Sequence, residues 1–301
     1  MYDIIIIGGG PAGLTAALYA LRAGKTVLVT EKNSFGGQIT WSPRVENFPT
    51  IQSISGTELA DRLVAQVMDQ GADTELCEIV SAEKTENGFR VESDFGDVFE
   101  GRALIIATGA KPRMLGVPRE EELVGSGVCF CAVCDGAFYK DRPVAVAGGG
   151  NSALQDAVLL AETCSRVYLI HRRESFRGEA KLVEALRAKD NVEFVLGSRI
   201  TKLSGEDELT GIELTCADGS ARSIPVDGLF VAVGHAPDNA VFSKLIELDD
   251  SGYAASGEDC MTVTEGVFVA GDCRRKSVRQ LTTAAADGSA AALAACAYLE
   301  R

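Results

Sequence analysis

Cys131 and Cys134 lie two residues apart in the run Cys131-Ala132-Val133-Cys134-Asp135-Gly136. At that spacing two sulfurs can bridge and part again without backbone movement when the residues between them turn, so the pair can switch between dithiol and disulfide. Zinc would need two more ligands at paired spacing, and the chain offers only His171, His235 and scattered cysteines. Breaking a disulfide releases a thiolate that needs a proton, and the adjacent Asp135 is the candidate acid. Its other reading is a turn residue ahead of Gly136.

A dithiol also needs a source of electrons, and 14 residues after Cys134 comes a glycine-rich turn that repeats one near the N-terminus. The first is Gly8-x-Gly10-x-x-Gly13, completed by Pro11 and Ala12; the second is Gly148-x-Gly150-x-x-Ala153, completed by Asn151 and Ser152. A short apolar run enters each turn, and an Ala/Leu-rich helical stretch leaves it, about 12–23 in one copy and 151–163 in the other. Strands follow at Thr26–Thr30 and Arg166–Ile170, so each copy reads as a dinucleotide-binding strand–helix–strand unit. The first glycine allows the tight turn, the second lets backbone approach a pyrophosphate, and the third position permits close helix–strand packing.

The two copies differ in charge where it matters. Counting 23 residues from Gly8 reaches Glu31; the same count from Gly148 reaches His171, followed by Arg172, Arg173 and Arg177. A carboxylate accepts hydrogen bonds from a ribose diol and repels a 2′-phosphate, whereas guanidinium groups grip that phosphate. The first site therefore suits a dinucleotide without 2′-phosphate, FAD or NAD, and the second suits NADPH.

The rest of the chain must hold these pieces in place. Its 301 residues suffice for two domains, and 46% apolar with 24% charged residues is a globular balance. A net charge of −14 argues against nucleic acid or anionic lipid as a partner. No run approaches the ~18 consecutive apolar residues of a membrane span, and Asp3 stands where a secretion signal would carry a cation. The nine cysteines mostly stand singly in apolar segments, a usage that fits a reducing cytoplasm.

Each glycine unit is followed by a polar hairpin (from Gly88, and from Ile212) and then an apolar strand ending in glycine, at Gly109 and Gly234. A third such strand, Val267 to Asp272, has no fingerprint of its own, so the C-terminal segment should return to complete the first domain. The expected fold class is α/β, with two Rossmann-like, three-layer dinucleotide-binding domains, one inserted into the other. Residues 1–114 and 241–301 form the FAD-binding domain and 115–240 the NADPH-binding domain with the cysteine pair, joined near Gly116–Pro118 and Ala236–Pro237.

Taken with Gly36-Gly37-Gln38, Val45–Pro49, Ala107-Thr108-Gly109, Gly234–Pro237, Gly271-Asp272 and Arg279-Gln280, these motifs make the whole chain resemble the low-molecular-weight thioredoxin reductases. That resemblance implies contacts to FAD from Glu31, Gly37, Gln38, Asn47, Thr108, Gly109, Asp272, Arg279 and Gln280, with Val80 on the adenine side. It implies NADPH at the second site, with Arg172, Arg173 and Arg177 on the 2′-phosphate. Electrons would pass from NADPH through FAD to Cys131–Cys134 and on to a thioredoxin or thioredoxin-like protein, in a cytoplasmic homodimer. Cys134 would be the flavin-facing sulfur and Cys131 the one that attacks the partner. A flavin-dependent dithiol oxidase and a ferredoxin-fed reductase are the alternatives; either would be expected to lose the Gly148 fingerprint and the arginines. One departure is Cys129, which strand alternation would place on the same face as Cys131.

Overall fold

The computed structural model describes all 301 residues. They form two compact units, one of Met1–Lys111 with Ala236–Arg301 and the other of Pro112–His235.

The first unit begins with β1 (Tyr2–Ile7), which runs into α1 (Pro11–Arg22) and then β2 (Val27–Glu31), parallel to β1 with Ile4 opposite Val27. Proline opens the helix, where an amide hydrogen is not needed, and Gly24, with φ of +73°, turns the chain after it. Next come α2 (Gly56–Asp69), capped by the Ser55 hydroxyl, and β3 (Asp73–Leu76) beside β2. A meander of β4 (Ile79–Thr85), β5 (Gly88–Ser93) and β6 (Val98–Ile106) follows.

Strand β6 does two jobs. Its first half pairs antiparallel with β5 and its second half parallel with β1, Ala103 opposite Ile4. The hairpin arm and the closing apolar strand expected as separate pieces are one nine-residue strand. No proline interrupts them, and Gly101, packed on the Ile5 side chain, passes the chain from one pairing to the other.

The core strands are buried on both faces. Ile4, Ile6, Val27, Val29, Ala103 and Ile105 face the helices, while Ile5, Ile7, Leu28, Leu104 and Ile106 face the meander and the 242–254 segment. Continuous apolar runs, with no polar alternation, are what a parallel strand between two layers requires.

The short β7 (Ala110–Pro112) leads into the second unit, whose strands are β8 (Val128–Cys129), β9 (Pro143–Ala147), β10 (Arg166–Ile170) and β11 (Val192–Val195). Helix α3 (Ala132–Asp135) is a single turn, α4 (Asn151–Leu160) follows the second glycine turn, and α5 (Ala180–Arg187) precedes β11. A separate three-stranded sheet of β12 (Arg199–Ser204), β13 (Gly211–Thr215) and β14 (Ala221–Ile224) comes before β15 (Gly228–Val231). Pro225, with no amide hydrogen for a ladder, follows the end of β14; here hairpin and closing strand are divided. The parallel sheet runs β11-β10-β9-β15-β8.

The chain returns through β16 (His235–Pro237), paired with β7 as a two-stranded ribbon. Then β17 (Val267–Val269) lies alongside β6, Val267 opposite Leu104, and α6 (Leu281–Leu299) packs on α1. The helices approach closely because Gly288 has no Cβ: one there would lie 2.2 Å from the Ala12 carbonyl oxygen. The outward crossing is at 111–112, ahead of the Gly116–Pro118 stretch. That stretch belongs to the second unit, where the Glu120 carboxylate accepts from the amides of Leu115 and Gly116, each at 2.8 Å.

Candidate active site

Cys131 and Cys134 are joined in a disulfide with Cα atoms 5.3 Å apart. Cys131 is the N-cap of α3 and Cys134 lies within it, and the Cys134 amide donates to Cys131 Sγ at 3.2 Å. Between them Val133 is 62% exposed, so an apolar side chain marks the outer face of the pair. Asp135 closes the same turn. Its Oδ1 is buried without a hydrogen-bond partner, and burial pushes its carboxyl up to about 6. That proton affinity suits a group that must give and take a proton near neutrality.

Strand alternation does not relate Cys129 to Cys131. Strand β8 ends at Cys129, so alternation stops there; the thiol is buried 3.4 Å from the Tyr139 hydroxyl. Burial first, then the charge of Asp135, pushes it up to about 12, and it stays a protonated, inert thiol.

In the same unit the second glycine turn leads into α4. A Cβ at Gly148 would lie 2.5 Å from the Ala232 carbonyl oxygen, while nothing stands within 4 Å of one at Gly150, which leaves backbone open to a ligand. The basic loop docks on this turn: the amides of Arg177 and Gly178 donate to the Gly149 carbonyl at 2.8 and 3.2 Å. Asn151 and Glu179 exchange two further bonds, at 2.8 and 3.0 Å. Arg172, Arg173 and Arg177 are exposed, with no ion pair in the chain. His171 stands apart from them, 6% exposed, its ring over Gly149 and stacked on Phe176. Burial and the three neighbouring guanidiniums lower its proton affinity, so it is a neutral support beneath the turn and not a fourth cation. Ser152 and Ala153 begin α4, the latter fully buried against the strand turn.

In the first unit, Gly8 (φ +113°), Gly10, Pro11, Ala12 and Gly13 carry β1 into α1, with Gly13 so close to Gly8 that a Cβ would lie 1.9 Å from its carbonyl oxygen. Glu31, at the end of β2, accepts from the Gly9 amide at 2.8 Å and the Asn33 amide at 3.0 Å, so backbone fixes the carboxylate. Gly37 (φ +61°) comes against Gly10, where a Cβ on it would lie 3.2 Å from Gly10 Cα. Gln38 donates to the Ala110 carbonyl at 2.8 Å, close to Gly109 (φ +68°). Asn47 donates to Gln280 Oε1 at 3.4 Å. Val80 is 47% exposed at an irregularity early in β4, and Lys32 pairs with Glu78 at 3.1 Å, which brings the end of β2 to the start of β4.

Three buried atoms of this unit lack hydrogen-bond partners, Thr30 Oγ1, Asp272 Oδ1 and Arg279 Nε, although Lys276 Nζ stands 3.9 Å from Asp272 Oδ1. Burial raises the proton affinity of Asp272, against the pull of Lys276 and Arg279, and Arg279 lies 4.4 Å over the Tyr253 ring. Buried groups of opposite sign with unfilled hydrogen bonds, beside a glycine-lined cradle, fit a large ligand that offers both donors and acceptors, as FAD does. The second turn, with open backbone and three uncompensated cations, fits NADPH.

Motif reading misses three groups. Asn239 is 1% exposed and bonds three segments of this site. Asp287 binds Arg274 at 2.7 and 2.8 Å, Lys276 at 2.8 Å and the Gly271 amide at 3.0 Å, so it fixes the turn that carries Asp272. Burial raises its carboxyl, but the two cations outweigh that and hold it below the usual range. Tyr253 beneath Arg279 is the third. Only Asp287 leaves a sequence trace, as the one charged residue in the α6 stretch.

Residues 2–288 match the pyridine nucleotide-disulphide oxidoreductases, and the chain belongs to that family. Its relatives there are thioredoxin reductases of the low-molecular-weight type. That of Listeria monocytogenes is 40% identical over 305 residues, covering 100% of this chain and 94% of its own. A bifunctional thioredoxin reductase/thioredoxin of Mycobacterium leprae is 37% identical over 302 residues, covering 99% of this chain and 66% of its own. Among solved structures, the thioredoxin reductase of Streptococcus pyogenes superposes with a TM-score of 0.95 at 35% identity, covering 100% of this chain and 98% of the other.

Proposed function

We infer that the chain is a thioredoxin-disulfide reductase that uses NADPH and FAD. The observation that carries this reading is a redox disulfide in the same unit as a nucleotide turn rimmed by three unpaired arginines. Thioredoxin is the partner that the relatives' names support, and in the Mycobacterium leprae relative both names belong to one chain. The family likeness supports a homodimer working in the cytoplasm, and seven unpaired cysteines suit a reducing compartment.

FAD, when bound, supplies the two-electron chemistry that links a hydride donor to a disulfide. Gly8 to Gly13, Glu31, Gly37, Gln38, Asn47, Val80, Thr108, Gly109, Asp272, Arg279 and Gln280 hold it. Arg172, Arg173 and Arg177 hold the 2′-phosphate of NADPH over the turn from Gly148 to Ala153, with His171 as its support. Two electrons break the Cys131–Cys134 bond; a proton from Asp135 turns the Cys134 sulfur into a thiol, and the charge stays on Cys131. The Cys134 amide, already directed at Cys131 Sγ, stabilises that thiolate. Cys131 then attacks the partner disulfide. Cys134 displaces the partner from the mixed disulfide, its proton returning to Asp135, and the partner's two sulfurs take protons from water, so that it leaves as a dithiol.

An anaerobic titration of the purified protein with NADPH, and separately with NADH, followed by flavin absorbance, tests this reading. Bleaching by NADPH at far lower concentration than NADH is expected, and Arg173→Glu should raise the NADPH requirement at least tenfold while leaving NADH unaffected. No bleaching by either nucleotide would overturn the reading and favour the oxidase or the ferredoxin-fed enzyme.

A further inference from the structure

The hydrogen bonds around Asn239 decide more than its own position. Its side chain is 1% exposed and fully engaged. Nδ2 lies 3.0 Å from the Gly252 carbonyl oxygen and 2.8 Å from that of Cys273. Carbonyl oxygens only accept, so the amide end must face them, and chemistry leaves one orientation for the side chain. Its other end, Oδ1, lies 3.0 Å from Thr108 Oγ1. An amide oxygen also only accepts, so the Thr108 hydroxyl must donate its single hydrogen to Asn239. The Cys273 thiol adjoins Thr108 as well, but it is directed at the carbonyl oxygens of Ala270 and Ile106, at 3.3 and 3.5 Å.

We propose that Asn239 is a positioning residue of the FAD site: by taking the Thr108 hydrogen it makes Thr108 an acceptor, and only an acceptor, toward the ligand. The same amide holds the Cys273 carbonyl, next to Asp272, whose Oδ1 is a buried acceptor without a hydrogen-bond partner, its nearest cation, Lys276, 3.9 Å away. One side chain thus aims two acceptors, Thr108 and Asp272, from segments 164 residues apart in sequence. A wall of acceptors selects the part of FAD that carries O–H and N–H donors and rejects the pyrophosphate, which offers none. The pyrophosphate is left for the backbone amides at the Gly8–Gly13 turn, so Asn239 helps set the direction in which FAD lies.

This inference rests on the FAD reading of the first unit, and a double-mutant cycle separates the two. The flavin is stripped from the parent, Asn239→Ala, Thr108→Val and the double variant, and FAD affinity is measured by fluorescence on re-addition. The melting temperature of each stripped protein is recorded beside it. Each single substitution should loosen FAD about tenfold, and the double variant no more than about twofold beyond the weaker single. Thr108→Ser, which keeps the hydroxyl, should bind within about twofold of the parent. Independent, multiplying losses would show that Asn239 serves only the fold and would overturn the proposal while leaving FAD in place. Should Asn239→Ala not fold, the Thr108 pair still decides: equal affinity of Thr108→Val and Thr108→Ser overturns it. A parent that neither carries nor takes up FAD defeats the underlying reading instead.

Discussion

Asp135 places two opposed demands on one carboxyl. Its burial makes ionisation costly, with the proton affinity moved from 3.8 to about 6. Since the folded value is raised, the unfolded chain loses this proton first as pH rises from about 4, and stability falls until pH passes about 6. At roughly 1.4 kcal/mol per unit, the carboxylate costs the fold about 2–3 kcal/mol at pH 7. Asp135→Asn should therefore melt at a higher temperature than the parent at pH 7, match it at pH 4, and reduce thioredoxin about a hundredfold more slowly. Thermal melts across pH 4–8 beside turnover check this; a variant no more stable at pH 7 would sink it. The cysteine pair, the two glycine turns, Glu31 and the arginines are legible in the sequence because their chemistry depends on short spacing along the chain. Asn239 is not, because its partner Thr108 is 131 residues away and nothing about an Asn after Pro237-Asp238 suggests more than a turn.

Among the elements, the two strand–turn–helix units look alike in sequence but are not equally tight. A Cβ at Gly13 would lie 1.9 Å from the Gly8 carbonyl oxygen, which is backbone and cannot give. In the second copy Ala153 already carries that methyl, and the close contact passes to Gly148, whose own Cβ would lie 2.6 Å from it. Gly13→Ala should cost about 3 kcal/mol or more and abolish flavin retention. Ala153→Gly, which only loosens a helix start, should cost about 1 kcal/mol or less. Urea unfolding of both variants checks the asymmetry; equal costs would mean that the first copy can relax as the second does. The helices and parallel strands were readable from apolar runs and glycine stops. The continuity of β6 was not, because only the partners on its two sides, β5 and β1, define where one pairing ends and the next begins.

For the whole molecule, the division into two units with separate cores means that each cofactor should stabilise its own unit. A ligand present at a hundredfold over its Kd adds ~2.7 kcal/mol to the unit that binds it. For a unit the size of Pro112–His235 that is a shift of about 10 °C. Calorimetry is expected to show two transitions, with NADP⁺ raising one and added FAD raising the other in stripped protein; a single transition raised by both would show that the units melt together. The division also bears on biosynthesis. The first unit starts with β1 yet needs β17 and α6, which are made only after the whole of Pro112–His235, and α1 lacks its α6 partner until Gly288 arrives over Ala12. Folding during synthesis proceeds by complete units. Pro112–His235 is therefore the first part able to fold, and the isoleucine-rich β1 must wait, incompletely covered, until α6 has been made. A ribosome stalled between His235 and α6 leaves a folded Pro112–His235 tethered to an aggregation-prone segment, which makes α6 the step that decides yield.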